Sequence, residues 1–433
     1  MRATGLTLPG ALDDSAAHRH GNMSDQKKLL LIGATTGYQT RVFADAAARL
    51  GFDLALATDR CHVLDDPWGD RAIALRFEDP AEAAATLERE ARVDGIVAVG
   101  DRPAYIAALA AARLRIPYNS PQSVLACRDK FLSRERFRTA GLLVPEFHPV
   151  PIADGPARAA RSSAYPCVLK PLGLSASRGV IRANNPEEFV AAFRRIQALL
   201  SEPDIARLRE EQSRFIQVES FIQGREFALE GILLDGRLRV LAVFDKPDPL
   251  DGPYFEETIY VTPSRELAST QREIVRATEK AVQALGLTRG PVHAEMRVNA
   301  QGVWMLEVAA RPIGGLCARV LPGLEELILR HAAGQDVSTI ALPPDAAGVM
   351  MIPIPRAGVY ADVQGLEDAR LVPGIEEIIV TAKQGQKLVP LPEGNSYLGF
   401  IFARAASPGE VERALRLAHQ RLRFEIAAAL PVL

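Results

Sequence analysis

Apolar and polar positions in the first part of the chain form short buried runs separated by helical stretches. Residues 29–32 are an apolar run that ends at a glycine and predicts a buried strand. Asp79, Pro80 and Glu82 predict a helix start, with an aspartate N-cap, a proline in the first turn and a glutamate three residues after the cap. The predicted elements are, in order, a strand at 28–33, a helix through Phe43 to Leu50, a strand at 53–57, a helix from Pro80, a strand at 95–100 and a helix at 104–114. This alternation predicts an α/β domain with a small parallel sheet covered on both faces.

The pattern changes after the Gly-Leu-Leu-Val-Pro segment at 141–145. From there to about residue 312 the apolar runs are longer, and the Asp235-Gly236 pair between two of them predicts an antiparallel hairpin. Asn185 predicts the cap of a helix whose apolar residues recur at helical spacing. After about residue 345, strand-like segments with glycine and proline turns precede a last helix that begins at Ser407. These two parts are therefore predicted to be α+β.

Composition narrows the class of protein. A chain of 433 residues is too long for one ordinary core and predicts three or four subdomains. The net charge of −2 gives no reason to expect a nucleic-acid partner. The four cysteines are far apart and form no CxxC pair, so the sequence predicts neither a zinc site nor a disulfide framework. This cysteine usage favours a reducing, cytoplasmic compartment. Apolar runs stay well short of the ~20 residues that cross a bilayer, so no membrane partner is expected.

The first residues of the chain do not form a secretory signal. Residues 1–22 lack the apolar stretch of a secretory signal. We expect residues 1–26 to be a disordered leader, with Met23 a candidate for the true start.

Nucleotide-binding motifs built on one glycine-rich loop are absent from the sequence. There is no GxxxxGK[ST] sequence and no protein-kinase signature set. The turn Gly33-Ala34-Thr35-Thr36-Gly37 lacks the GxGxxG spacing of dinucleotide-binding proteins. It is either a structural turn or a substrate-binding loop at the helix N-terminus of an open α/β sheet.

Lys170 ends a predicted strand and precedes a loop of glycines and serines at 173–179. Backbone N–H groups of such a loop approach polyphosphate oxygens closely, and Lys170 and Arg178 would add positive charge. Ser177 and Gly179 lie in the same loop. The alternative is a glycine-rich surface hairpin without a ligand.

Two glutamates flank the next apolar strand and the turn after it. Glu219 is followed by the apolar residues Phe221 and Ile222 and by a turn at Gly224, after which Glu226 follows. Carboxylates beside apolar backbone suit an adenosine, whose ribose hydroxyls donate to a carboxylate. The alternative is a strand with its glutamates in solvent.

The segment from His293 to Glu307 predicts a hairpin with a carboxylate on each strand. A three-residue loop at 300–302 would place Gly302 in a left-handed conformation and set Glu295 directly opposite Glu307. Like charges in that arrangement repel, so a cation is expected between them. Mg²⁺ prefers one or two carboxylates together with substrate phosphates. A shift of the register by one residue would point the two side chains to opposite faces.

An arginine and two glycines follow the hairpin. Arg311 is suited to bidentate contact with a phosphate or carboxylate, and Gly314 and Gly315 allow close approach of the backbone to a ligand. The alternative for Arg311 is a structural salt bridge.

In their order along the chain, these motifs resemble the ATP-grasp superfamily, over about residues 28–330. The resemblance implies that ATP lies between two α+β lobes and that Glu295 and Glu307 bind Mg²⁺ or Mn²⁺. The remaining roles implied are nucleotide contacts by Lys130 and Lys170, a phosphate loop at 173–179, adenine contacts by Glu219 and the backbone of Phe221 and Ile222, a ribose contact by Glu226, and the family arginine at Arg311. The family often has an asparagine two residues after the second carboxylate. Here that residue is Ala309, which puts the second metal ion in doubt.

Within the superfamily, the segments 290–295, 372–376 and 392–400 resemble the L-amino-acid ligases. After the leader expected at 1–26, this implies an N-terminal α/β domain at 27–126, an ATP-grasp domain at 127–335 and a C-terminal domain at 345–433. The expected activity is ATP-dependent amide formation between a carboxylate, such as an amino acid, and an amine, through an acyl phosphate and with release of ADP and phosphate. Arg311, Gly314 and Gly315 would stabilise the reacting groups. Many relatives form dimers, so a homodimer is an option.

The substrate pocket is predicted to include the segment 244–258. Glu256 or Glu257 would bind an amino acid's ammonium group, unless the segment is a solvated loop. His293 either contacts the same pocket or is a structural histidine. Two other functions remain open. They are a different ATP-grasp reaction, such as biotin carboxylation or ligation in purine synthesis, and a non-catalytic ATP-binding protein.

Overall fold

The computed structural model describes residues 26–34, 39–59 and 72–428. The predicted leader, apart from Gln26, lies outside these residues, as do Met23 and Thr35 to Gly37 of the predicted glycine turn. No helix in the described ranges is both long and apolar enough to span a membrane.

A four-stranded parallel sheet forms the N-terminal part, as predicted. Its strands, in the order β3-β2-β1-β4, are β1 (Lys28–Gly33), β2 (Asp53–Thr58), β3 (Ala72–Ala74) and β4 (Gly95–Val99). The helices are α1 (Thr40–Leu50), α2 (Pro80–Glu90) and α3 (Asp101–Leu114). Asp79 caps α2 by accepting a hydrogen bond from the backbone N–H of Glu82 at 3.1 Å. Because β1 and β4 are parallel, Gly33 and Asp101 both lie at the edge formed by the carboxyl ends of the strands.

An antiparallel lobe follows, joined by α4 (Pro121–Arg128) and α5 (Lys130–Thr139). Its four strands, in the order β5-β8-β6-β7, are β5 (Phe147–Pro151), β6 (Cys167–Pro171), β7 (Ile181–Ala183) and β8 (Phe215–Ser220). Its helices are α6 (Pro156–Ser162), α7 (Pro186–Leu200) and α8 (Pro203–Ala206). Asn185 caps α7, and the apolar stripe predicted on this helix is buried against the sheet (Phe189, Phe193, Ile196 and Leu200). We refer to this unit as the small lobe.

An eight-stranded antiparallel sheet makes up the centre of the molecule, in the order β13-β12-β9-β10-β11-β14-β18-β16. The strands and helices from here to the end are β9 (Arg225–Leu234), β10 (Arg237–Lys246), β11 (Ile259–Thr262), α9 (Ala268–Leu285), β12 (Gly290–Asn299), β13 (Gly302–Ala309), α10 (Leu324–Ala332), β14 (Ala346–Ile352), β15 (Gly358–Gln364), α11 (Leu366–Arg370), β16 (Ile375–Val380), β17 (Lys387–Leu388), β18 (Gly399–Ala405), α12 (Pro408–Arg421) and β19 (Arg423–Ala427). The three remaining strands form a small sheet, β17-β15-β19. The predicted α/β and α+β architecture is confirmed.

The Asp235-Gly236 hairpin is also confirmed. Leu234 pairs with Arg237, and both turn residues have positive φ, 48° and 83°. Such two-residue turns match the right-handed twist of antiparallel strands.

Candidate active site

A cavity of about 460 Å³ lies where the N-terminal sheet, the small lobe, the central sheet and the C-terminal part meet. It brings together most of the site residues predicted from the sequence. These are Lys130, Lys170, Ser177, Glu219, Phe221, Ile222, Glu226, Glu257, His293, Glu295, Glu307, Arg311, Gly314 and Gly315. Arg178, Gly179 and Glu256 are outside its lining.

Glu295 and Glu307 pair directly across β12 and β13, the register expected from the sequence. The route to this register differs from the expectation. The turn has two residues rather than three, because Asn299 already pairs with Gly302, whose φ is 127°. A bulge at Leu306 then adds one residue to β13 and restores the pairing of the two glutamates. Two local deviations therefore cancel at the carboxylates.

The two carboxylates have different surroundings. Glu295 Oε1 lies 3.1 Å from Lys246 Nζ and 3.3 Å from both His293 Nε2 and the Tyr260 hydroxyl. Glu307 lines the cavity and makes no hydrogen bond or ion pair within the described ranges. A carboxylate left without a protein partner beside a second one fits a hard divalent cation that also binds phosphates.

Lys246, which sequence reasoning did not single out, is surrounded by three carboxylates. Its Nζ lies 2.9 Å from Glu226, 2.6 Å from Glu257 and 3.1 Å from Glu295. One oxygen of each glutamate lies within 4.8 Å of the others. Burial and the charge of Glu295 raise the pKa of Glu257 to about 7, although Lys246 opposes the shift. Burial would lower the pKa of Lys246, but the three carboxylates outweigh it and raise this pKa.

His293 bridges two glutamates from a buried position. Its Nδ1 lies 3.1 Å from Glu230 and its Nε2 3.3 Å from Glu295. Burial favours the neutral ring, but hydrogen bonds with both carboxylates, and their charges, raise the pKa of His293 to about 9. Glu230, another residue missed from the sequence, also accepts a hydrogen bond from the backbone N–H of Ile313 at 3.1 Å. The pair therefore connects the central sheet to the loop after the hairpin.

Glu219 lies in the cavity wall, where it is buried between two cations. Its carboxylate lies 2.5 Å from Lys170 and 2.9 Å from Arg134, and it accepts a hydrogen bond from Gln217 at 2.7 Å. Burial alone would raise its pKa, but Arg134 and Lys170 lower it to about 2. Arg134 was not predicted, because its partner is 85 residues away on another element. Glu219 thus holds the ammonium group of Lys170 in place.

The segment predicted to face adenine is already hydrogen-bonded in part. The N–H of Phe221 donates to Pro166 O at 3.1 Å, and Ile222 O accepts from Arg297 at 2.7 Å. Arg297 also binds Glu226 at 2.9 Å. Its guanidinium carbon is 5.2 Å from the centre of the Phe221 ring.

Lys130 and the loop at 173–179, which the sequence predicts to contact phosphates, line another part of the cavity. Lys130 is the first residue of α5, and its Nζ donates to Leu174 O at 2.5 Å. Ala176 and Ser177 have φ values of 55° and 54°, a conformation that directs successive N–H groups to one side. Arg178 faces away from the cavity and pairs with Glu202 at 2.8 Å.

Gly179 could not be replaced without a rearrangement of the loop. A Cβ atom there would lie 2.6 Å from Pro171 Cγ, and the φ of Gly179 is 76°. Only glycine fits both the contact and the backbone conformation.

Arg311 is held by the N-terminal domain. Its Nε lies 2.7 Å from Asp101 Oδ1 and its Nη2 3.3 Å from Oδ2. Gln39 Nε2 donates to Ile313 O at 2.6 Å and fixes the same loop two residues further on. A Cβ at Gly314 would meet open space, whereas at Gly315 it would lie 3.4 Å from the Phe400 ring.

Of the two glutamates proposed for an ammonium group, only Glu257 reaches the cavity. Glu256 lies outside the lining, and burial raises its pKa. Glu257 reaches the cavity because its carboxylate accepts a hydrogen bond from Lys246 at 2.6 Å.

Comparison with known proteins agrees with this geometry. The family model described as "ATP-grasp domain" matches residues 163–320, and the model described as "L-amino acid ligase C-terminal domain 2" matches residues 350–427. The chain therefore contains an ATP-grasp domain. This domain is followed by a C-terminal domain of the L-amino acid ligase type, which confirms the resemblance seen in the sequence.

Individual relatives belong to the same group. The chain is 28% identical over 247 residues to alanine–anticapsin ligase of Bacillus subtilis. This match covers 53% of this chain and 52% of that protein. It is 25% identical over 182 residues to dapdiamide A synthase of Enterobacter agglomerans, covering 42% and 40%. The chain thus spans about half the length of the curated relatives it matches.

Among solved structures, the L-amino acid ligase from Bacillus licheniformis matches with a TM-score of 0.80 and 27% identity, over 93% of this chain and 99% of that one. Phosphoribosylglycinamide synthetase from Anaerococcus prevotii shares the fold at a TM-score of 0.66 and 17% identity, over 93% and 100%.

Proposed function

We propose that this protein is an ATP-dependent ligase that joins a carboxylate, an amino acid, to an amine through an amide bond and releases ADP and phosphate. The observation that carries the proposal is the pair Glu295 and Glu307, which face each other in a cavity that Lys130 and Lys170 also line. Carboxylates for a divalent cation and lysines for phosphates are what phosphoryl transfer from ATP requires.

In this proposal, ATP lies between the small lobe and the central sheet. Lys130, Lys170 and the backbone around Ser177 bind the phosphates, while Phe221 and Ile222 flank the adenine. Glu226 accepts the ribose hydroxyl groups, and Glu219 acts through Lys170. Mg²⁺, when bound by Glu295 and Glu307, supplies charge neutralisation at the phosphates. Ala309 is apolar and 2% exposed, so its side chain offers no further ligand.

The proposed reaction has two steps. An oxygen of the acid substrate bonds to the γ-phosphorus as ADP leaves, which gives an acyl phosphate. The amine nitrogen then bonds to the acyl carbon, the carbon–oxygen bond to phosphate breaks, and the amine loses a proton. Arg311, oriented by Asp101, stabilises the phosphate that is transferred and then released. The backbone N–H groups of Gly314 and Gly315 stabilise the oxyanion.

We also propose that Glu257 binds the ammonium group of the amino acid substrate. It is the cavity-lining member of the predicted pair, and Lys246 and Tyr260 lie beside it. His293 has a positioning role for Glu295, to which it is hydrogen-bonded at 3.3 Å. Other features stay predictions of the sequence, namely the domain limits at 27–126, 127–335 and 345–433, a homodimer and a cytoplasmic location.

The test is phosphate release from Mg-ATP with pairs of L-amino acids, with mass spectrometry of the products. We expect phosphate that depends on both amino acids, a new dipeptide mass, and loss of both with Glu307→Gln. Glu376→Gln is the matched control, because Glu376 pairs with Arg404 on the surface of the C-terminal domain. No turnover with any pair, despite ATP binding in a separate titration, would reject the dipeptide activity.

A further inference from the structure

A segment of the C-terminal domain forms part of the cavity wall. Residues 390–397, here called the bridging segment, connect β17 to β18. Asn395, Ser396 and Tyr397 line the cavity. Their side-chain polar groups make no hydrogen bond within the described ranges. Polar groups of this kind on a cavity wall are available to a ligand.

The same segment is fixed to the small lobe by the residues just before these three. The carboxylate of Glu393 pairs with the guanidinium of Arg195 on α7, with one Nη2–Oε2 distance of 2.8 Å and a second contact from Nε to Oε1. Such paired contacts fix orientation as well as distance.

The backbone of the bridging segment contacts the phosphate loop directly. Arg178 Nε donates to Glu393 O at 2.7 Å, and the N–H of Gly179 donates to Pro392 O at 2.7 Å. Arg178 thus faces away from the phosphates because it binds the C-terminal domain.

The segment has little freedom between its anchor and its cavity-lining residues. Gly394 N donates to Pro390 O at 2.9 Å, and a Cβ at Gly394 would lie 1.8 Å from Val389 O. Glu393 and Asn395 are therefore separated by one residue in a tight turn. A shift of the cavity-lining residues must move the anchor, and a shift of the anchor must move them.

We propose that Glu393 is a positioning residue that couples the phosphate loop to the substrate cavity. The inference rests on the proposed function, since it assigns to the bridging segment the contact with the amino acid substrates. With the Glu393–Arg195 pair intact, the loop at 173–179 stays closed over the acyl phosphate and excludes water. Without it, water hydrolyses the acyl phosphate to the free acid and phosphate, and ATP is consumed without amide.

The experiment compares wild type with Glu393→Gln and Arg195→Gln, with Glu376→Gln as the control. The first readout is limited trypsin cleavage of the Arg178–Gly179 bond without substrates, followed by mass spectrometry. Cleavage tracks the population of the open loop, so loss of one ion pair should accelerate it roughly two- to fivefold. The second readout is the ratio of amide to phosphate with amino acid pairs, which should fall in both variants and stay unchanged in the control.

The two variants remove opposite partners of the ion pair, so the test still decides if one of them fails to fold. The melting temperatures of both variants are measured to detect such a failure. Cleavage at Arg178 at the control rate in both variants would overturn the inference, whatever the activity. Faster cleavage with an unchanged ratio of amide to phosphate would overturn the coupling. If wild type forms no amide at all, the proposed function fails while the cleavage result still decides whether Glu393 holds the loop.

Discussion

Glu219→Gln removes a carboxylate that pairs with two cations in the cavity wall. Arg134 has 1% and Lys170 14% of its side chain exposed, so water replaces the lost partner only in part. The pKa of Glu219 is about 2 against an ordinary value of 4.5. At 1.36 kcal/mol per pH unit this difference corresponds to about 3 kcal/mol, similar to the ~3–5 kcal/mol cost of breaking a buried ion pair. The unfolding entropy of a 433-residue chain is ~0.9 kcal/mol per K, so we expect the melting temperature to fall by roughly 3–6 °C.

The assay is thermal unfolding by calorimetry or fluorescence at pH 7, with Glu135→Gln as the control. Glu135 pairs with Arg138 on the surface, where the two side chains are 35% and 61% exposed, so this variant should change the melting temperature by roughly 1 °C or less.

The same prediction has a pH signature with a defined sign. The folded pKa of Glu219 lies below its unfolded value, so the stabilisation is complete above pH 4.5 and is lost as the pH falls towards about 2. The difference in melting temperature between wild type and Glu219→Gln should be constant from pH 8 to pH 6 and shrink from pH 5 to pH 3. A variant that melts like the control at pH 7, or a difference that does not shrink in acid, would refute this account of the ion pairs.

Three further perturbations follow from buried charges. Asp101→Asn removes the carboxylate that orients Arg311, so kcat for amide formation should fall by roughly tenfold or more while the affinity for ATP stays unchanged. Steady-state kinetics and an ATP titration measure the two quantities, and weakened ATP binding would contradict this prediction. Burial and Arg289 lower the pKa of His331 to about 4, so the stability of the folded protein should fall as the pH drops from 6.5 to 4. In thermal unfolding measured across this pH range, His331→Gln should show a smaller fall in melting temperature than wild type. Lys246→Met leaves three carboxylates without the ammonium group that they share. Added Mn²⁺ should therefore raise the melting temperature of this variant more than that of wild type. An equal rise in both proteins would argue against the need of the three carboxylates for a cation.

The facing glutamates of the hairpin owe their position to local sequence. The hairpin from His293 to Glu307 is short, and its alternation fixes which side chains share a face, so the facing glutamates could be found without the structure. Even here the turn length was wrong, and the bulge at Leu306 compensated for it. Turn length and bulges depend on packing against neighbouring strands, which a single sequence does not display.

Lys246 shows why other parts of the site were missed. The two-residue turn at Asp235-Gly236 alone would place Asp245 opposite Glu226. A bulge between Val240 and Ala242 shifts the register, so that Lys246 faces Glu226 instead. A slip of one residue exchanges the two faces of a strand, and nothing local in the sequence signals it.

Partners far apart in the sequence were not predictable from spacing either. Arg311 meets Asp101 across 210 residues, and Arg178 meets Glu393 across 215. Arg178 was expected at phosphates, and Arg311 at a phosphate or carboxylate, with a structural salt bridge as the alternative for Arg311. The fold gives them carboxylate or carbonyl partners in other domains, a choice that depends on the tertiary arrangement.

The eight-stranded sheet passes from the ATP-grasp hairpin into the C-terminal domain through the pairing of β11 with β14. All four residues of β11 are buried, so a chain cut before β14 would present an apolar, unpaired strand edge at the cavity, which Tyr260 of β11 lines. The C-terminal domain is therefore not an interchangeable module. A chimera that borrows it from a relative must take both partners of the β11–β14 ladder from the same parent, and the useful crossover point lies ahead of Ile259, inside the catalytic half of the chain.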